Sequence, residues 1–205
     1  QEHSVTTGGM SRPLPRPFFV LATQNPIEME GTYPLPEAQL DRFVFKLRVR
    51  YPSITELNAI LERTTQPQAA PIQRVMDGPA VLSFRDLIRE VPIASHLRDF
   101  ATRIVMGTHP EWEGAPEITR RVVRYGASPR GAQSLVLGAK VRALTQGRFN
   151  VSAEDVQMFA APALRHRIIL NFAGESEGID NDKLIAQVVE SVQGDVFKNV
   201  ERMAV

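Results

Sequence analysis

The sequence contains no cysteine. Disulfides, thiolate nucleophiles and cysteine-built zinc sites are therefore excluded. Histidine is scarce: His3, His96, His109 and His166 lie far apart without ligand spacing, so a histidine-built metal centre is not expected. No apolar run approaches the ~18 residues of a membrane-spanning helix, and no signal peptide is visible. A cytoplasmic location is the expectation. Net charge is only +1, so no global field draws the chain toward nucleic acid or a membrane. Internal repeats and low-complexity tracts are also missing. What is present is ordinary for a globular protein. The chain has 205 residues, 43% apolar and 23% charged, enough for one large domain or two small ones with a substantial core. It begins with Gln1 and not Met, as expected of a fragment or a processed product.

Local patterns divide the chain into a small α/β part and a helical part. Residues 1–17 read as a Gly/Pro-punctuated hairpin or loop, with Val5-Thr6-Thr7 as a short strand and Gly8-Gly9 as the turn. Residues 18–22 are a continuous apolar run, which predicts a buried, parallel strand. Residues 26–35 form a loop. Pro36 opens a short helix over PEAQLDRF at its first turn, with Glu37 near the positive end. Residues 43–49 alternate apolar and polar, predicting a second strand. Ile54, Leu57, Ile60 and Leu61 share one face of a helix near 53–64. A linker over 64–79 leads to helices near 83–90, 93–107, 129–146, 153–160 and 181–192. Ser152 and Asp155 have the spacing of a capping box, and Pro162 is expected to bend or end its helix.

Three places carry possible chemistry. FVLATQNP delivers Thr23, Gln24 and Asn25 to the carboxyl end of the strand predicted over 18–22, where open α/β sheets bind ligands. An Asn there can orient water or contact phosphate; equally, Asn25-Pro26 can simply turn the chain. In EGTYPLPEAQLDRFVFKL, Arg42 ends the short helix. An always-charged guanidinium at such a boundary can reach a phosphate on a neighbouring subunit, or it can pair with Asp41 or Glu37 as an ordinary surface ion pair. In GASPRGAQSLVLGAK, Ser128 reads as N-cap, Pro129 as first helical residue and Arg130 as a first-turn cation, with Leu135, Val136, Ala139 and Ala143 behind it. A cation at a helix N-terminus opposes the helix dipole unless an anion sits there too. Between Ile118 and Ala153 there are seven basic residues and no acidic one, which is also the pattern of a solvated basic face.

Together, FFVLATQNP, EGTYPLPEAQLDRF, RYGASPRG, VSAEDV and APALRHRIIL resemble the second-half motifs of the MoxR family of AAA+ ATPases, in order and over nearly the whole chain. The resemblance implies an α/β fragment of a P-loop AAA+ core over residues 1–65, then a mostly α-helical lid region over 66–205. It implies that Asn25 is the sensor 1 Asn near the γ-phosphate, that Arg42 is the arginine finger acting on ATP in the adjacent subunit, and that Arg130 is the sensor 2 Arg. It also implies a ring-forming, chaperone-like motor, expected to be a hexamer, that uses ATP and Mg²⁺ and works with von Willebrand factor A domain proteins. No G-x-x-x-x-G-K-[ST] occurs; Gly138-Ala139-Lys140 sits inside a predicted helix with the wrong spacing. No apolar strand ends in Asp-Glu. In the family both motifs lie upstream of the point matching Gln1, so this chain by itself is expected neither to bind ATP tightly nor to hydrolyse it. Glu28 and Glu30 read as loop residues. An incomplete parallel sheet would leave residues 18–50 with open edges, poorly ordered, paired with another chain or propped by the helices.

The contrasting reading is a non-catalytic helical interaction module whose basic segment docks an acidic protein or nucleic acid. Nucleic acid as the main partner is disfavoured: Phe18, Phe19, Phe43 and Phe45 sit in apolar strand patterns, and Trp112 sits in an acidic turn.

Overall fold

The computed structural model describes residues 4–25, 35–65 and 73–203, the side chains of 195–203 excepted. Glu28 and Glu30, with most of the loop predicted at 26–35, lie outside the described residues. The described chain divides into two compact units. One comprises residues up to Gln24 and Leu47–Asp86; the other comprises Asn25–Lys46 and everything from Leu87 onward.

The first unit contains the predicted hairpin. β1 (Ser4–Thr7) pairs antiparallel with β2 (Met10–Pro13), with Thr7 opposite Met10. Gly8 and Gly9 both have positive φ, +59° and +77°, which a two-residue turn of this hand demands and glycine supplies at little cost. α2 (Ile54–Thr65) opens on a reciprocal cap: Ser53 N–H donates to Glu56 Oε2 (2.8 Å) and Glu56 N–H to Ser53 Oγ (3.3 Å). Most of α3 (Gly78–Glu90) also belongs here. No described residue of this unit is buried. The strand predicted over 18–22 does not form. Phe19 and Leu21 are 79% and 85% exposed. A strand exists only through its ladder, and no described segment pairs with this one.

The second unit holds the whole hydrophobic core found among the described residues, from Val91 to Val192. In α4 (Ser95–Met106), Leu97, Phe100, Ala101, Ile104 and Val105 recur at helical spacing and are all buried. α6 (Pro129–Thr145) buries Gly131, Ser134, Leu135, Gly138, Ala139 and Ala143 on one face. Those small residues let α7 (Ala153–Leu164) approach closely. A Cβ on Gly138 would stand 2.7 Å from the Phe159 ring, and one on Gly131 would stand 2.8 Å from Leu164. α9 (Asn181–Met203) packs against α4 and α7 and closes the bundle with Leu184, Ile185 and Val188. Sequence periodicity did not reveal α5 (Glu117–Val122), α8 (Phe172–Ser176) or the short antiparallel pair β3 (Val123–Tyr125) and β4 (Ile169–Leu170). Each is too short to display a period.

Three local expectations change. α1 (Glu37–Leu40) has Pro36 as its N-cap, in extended conformation (φ −53°, ψ 142°), and not as its first helical residue. Pro162 does not end α7, which continues to Leu164; the missing N–H falls in the last turn, where the helix is about to stop anyway. Residues 43–49 pair with no strand. Residues 41–46 are instead held by the helical bundle, through Lys46 N–H on the Pro162 carbonyl (2.9 Å) and the Phe45 ring stacked on Phe159 with centroids 5.2 Å apart.

Candidate functional site

Asp41 is the centre of the polar structure around the predicted finger. It caps the C-terminal end of α1, immediately before Arg42. Its Oδ1 accepts from Ser128 Oγ (2.6 Å) and from Arg167 Nε (3.0 Å); its Oδ2 accepts from Arg130 (2.7 Å). Ser128 is the N-cap of α6, as its sequence position predicts, and its Oγ also accepts from Arg130 N–H (3.2 Å). The first turn of α6 thus carries a cation whose anion is Asp41. Burial alone would raise the Asp41 carboxyl, but the bonds from Ser128, Arg130 and Arg167 outweigh it and hold the group below the usual carboxylate range.

Arg42 has no share in this carboxylate. Its side chain is exposed and makes no hydrogen bond or ion pair with another described residue, so the pairing with Asp41 or Glu37 weighed from sequence is not formed. Its backbone is fixed by Arg42 N–H on the Gln39 carbonyl (3.2 Å). Arg130 is bound to Asp41, the residue before Arg42, but the Arg42 side chain itself joins neither. Asn25 lies exposed at the end of residues 18–25.

Three consecutive residues that sequence reasoning passed over do much of the positioning. Arg167 binds the Asp41 carboxylate and the backbone beside it. His166 Nε2 lies 3.0 Å from the Phe43 carbonyl, and Arg165 donates to the Lys46 carbonyl (3.1 Å). Burial lowers both the Arg167 guanidinium and the His166 imidazole from their ordinary values, and Asp41 partly restores the former. The available signal was three basic residues in a row inside the otherwise apolar APALRHRIIL.

Each of the seven basic residues between Ile118 and Ala153 has a partner within the chain. Arg142 and Arg148 both bind the buried Asp155. Arg121 pairs with Glu177, Arg120 donates to the Glu113 carbonyl, and Lys140 donates to the Arg89 carbonyl. Arg130 is on Asp41, and Arg124 lies over the neighbouring Tyr125 ring at 5.1 Å.

Comparison with known proteins agrees with this architecture. The profile described as "ATPase family associated with various cellular activities (AAA)" matches residues 1–45, and that described as "AAA lid domain" matches residues 115–188. The chaperone MoxR1 of Mycobacterium tuberculosis is 40% identical over 201 residues, covering 94% of this chain and 51% of that protein. The chain belongs to the MoxR family of AAA+ ATPases. YeaC of Bacillus subtilis, itself uncharacterised, is 38% identical over 207 residues, 98% of this chain and 61% of its own length. A crystal structure of a candidate ATPase from Cytophaga hutchinsonii superposes with a TM-score of 0.86 at 37% identity, covering 93% of this chain and 58% of that one. The chain therefore spans about half to three-fifths of the length of these relatives. Its fold is the end of an AAA+ core with a short sheet portion, followed by a mostly helical lid region. Asp41 and Arg42 fall in the AAA match, and Ser128, Arg130 and Arg167 in the lid match. The Asp41 ion pairs thus join the two matched segments.

Proposed function

We propose that this MoxR-type chain belongs to a cytoplasmic, ring-forming ATPase, most simply a hexamer, that couples ATP hydrolysis to remodelling or maturation of partner proteins, with von Willebrand factor A domain proteins as the first partners to test. In this reading Asn25 positions the attacking water, Arg130 senses bound nucleotide from the lid, and Arg42 acts on ATP in the adjacent subunit. The observation that carries it is the contrast at residues 41–42. Asp41 is engaged by three side chains of the lid, while Arg42, one residue on, is exposed and makes no hydrogen bond or ion pair with another described residue. A finger that works across a subunit boundary needs that arrangement: a fixed backbone and an uncommitted guanidinium.

The donor chemistry at Arg130 fits a phosphate. One terminal nitrogen is on Asp41, its side chain is 41% exposed, and its remaining N–H groups stay available. Bound ATP supplies the phosphoryl group that passes to water. Among the described residues no group of three or more His, Asp and Glu is placed to hold a metal ion. The sequence contains no phosphate-cradling loop, and the chain by itself is accordingly proposed to bind ATP weakly and to hydrolyse none.

The test is the ATPase rate of the full-length protein containing this chain, measured against protein concentration, with and without Arg42→Ala. The rate should rise with assembly and fall by roughly 10³-fold or more in the variant, with nucleotide affinity retained. An unchanged rate in Arg42→Ala would overturn the finger assignment, and no measurable rate in the native full-length protein would leave the non-catalytic interaction module as the better reading.

A further inference from the structure

Arg167 is distinguished by what it holds. Its side chain is 1% exposed, and each of the five N–H groups that an arginine offers has an acceptor. Nε is on Asp41 Oδ1 (3.0 Å). One terminal nitrogen donates to the carbonyls of Val44 (3.2 Å) and Ala163, and the other to the carbonyls of Asp41 (2.9 Å) and Phe43 (2.6 Å). Four of those five acceptors lie in residues 41–44. Two of them are the carbonyls flanking Arg42, and Arg42 is the residue passed over. A buried cation so fully matched is hard to replace. Lysine has three donors on a point charge and cannot reproduce the fork. With the backbone pinned on both sides, the lid sets where the Arg42 side chain leaves the main chain.

We infer that Arg167 is a positioning residue for Arg42: by clamping the backbone on either side, it aims the finger out of its own subunit. The inference rests on reading Arg42 as acting in trans. With all five N–H groups engaged within the chain, Arg167 has no donor left over for a nucleotide and acts through Arg42. It transmits the placement of one subunit's lid to hydrolysis in the next.

Mixed assemblies of the full-length protein test this. Arg167→Gln alone should lower kcat on the order of 10²-fold, the scale expected when a catalytic group is misplaced by about 1 Å. Its affinity for a fluorescent ATP analogue and its oligomeric state should be unchanged. An Asn25→Ala subunit is impaired at its own site but still donates an intact Arg42. Excess Asn25→Ala should therefore restore the activity of Arg167→Gln subunits, while Asn25→Ala carrying Arg42→Ala should not. Arg42→Ala subunits mixed with Asn25→Ala are the control. If they are not rescued, the trans reading itself fails and takes this inference with it. If they are rescued and Arg167→Gln is not, the finger stands and the inference is overturned, because Arg167 then acts within its own subunit. Should Arg167→Gln fail to fold, Arg167→Lys keeps a charge near Asp41 without the fork. It should show the same rescue with a smaller initial loss, and absence of that rescue equally overturns the inference.

Discussion

α2 and α4 are each twelve residues long, each has an apolar face, and only α4 is buried. Phe100 and Ile104 of α4 are 0% exposed, whereas Ile54, Ile60 and Leu61 of α2 are 82%, 46% and 51% exposed. Periodicity specifies a helix and the face it would bury. It does not supply the surface that buries it. α4 finds α6, α7 and α9 within its own unit; α2 has no buried residue at all. The same contrast separates residues 18–22, an apolar run without a ladder, from residues 41–46, which have no ladder either but are held by side chains of the lid.

The comparison breaks first at Phe100. Phe100→Ala removes a fully buried ring from the core and should cost roughly 3–5 kcal/mol in chemical denaturation of the chain. Ile54→Ala, also a large-to-small apolar truncation but on an open face, should stay within about 0.5 kcal/mol. Equal losses would mean that α2 is covered after all. Repeating Ile54→Ala in a longer protein containing this chain sharpens the contrast, since a cost that appears only there locates the covering segment.

A polar version of the comparison follows. Asp155 is 0% exposed. It accepts from Arg142 and Arg148, and it closes the α7 capping box with Ser152 (Ser152 N–H to Oδ2, 2.8 Å). Burial works against its charge, yet the bonds from Arg148, Ser152 and Arg142 hold its carboxyl far below the ordinary range. Asp155→Ala leaves two guanidinium groups without their anion and opens the cap. A loss of roughly 3 kcal/mol is expected, a large share of the ~5–15 kcal/mol of a typical domain. Asp86→Ala, which removes an exposed pair with Arg85, should leave the denaturation midpoint where it was. A neutral Asp155→Ala would show that the cap and the ion pairs are ornaments on a bundle held by its apolar faces.

These particulars explain what was legible in the sequence. Long periodic helices, the Gly8-Gly9 turn and the Ser128 and Ser152 caps are local, and local rules found them. The motif containing Asp41 and Arg42 was visible as a string, but its partners were not. Asp41 meets Arg130 and Arg167 across 89 and 126 residues of chain, a separation that no pattern within one segment encodes. The strands at 18–22 and 43–49 failed for the complementary reason. Their alternation and apolarity were read correctly, but a strand is a property of two segments, and no second one is present among the described residues.

The smallest expected effect concerns pH. His166 places Nε2 on the Phe43 carbonyl, while its Nδ1 is buried with no partner among the described residues. A second proton would therefore create an N–H with no acceptor. Burial pushes the imidazole below its ordinary value near 6.5. Arg167 and Lys46 add to that shift, and the Phe43 carbonyl and Asp41 oppose it. With the folded value depressed, the unfolded chain takes up the proton first. The contribution of His166 is then complete above about pH 6.5 and is lost as pH falls through the folded value. Asp41 and Asp155, whose carboxyls are lowered, contribute fully above about pH 4 and stay constant through this window. Melting curves between pH 7.5 and pH 5.5 should thus show a loss of stability in the native chain that is smaller in His166→Gln, whose side chain keeps a donor for Phe43 but does not titrate. Identical pH slopes in the two proteins would mean that the contact between His166 and residues 41–46 does not respond to protonation, and that the carboxylate of Asp41 holds this segment without help from the imidazole.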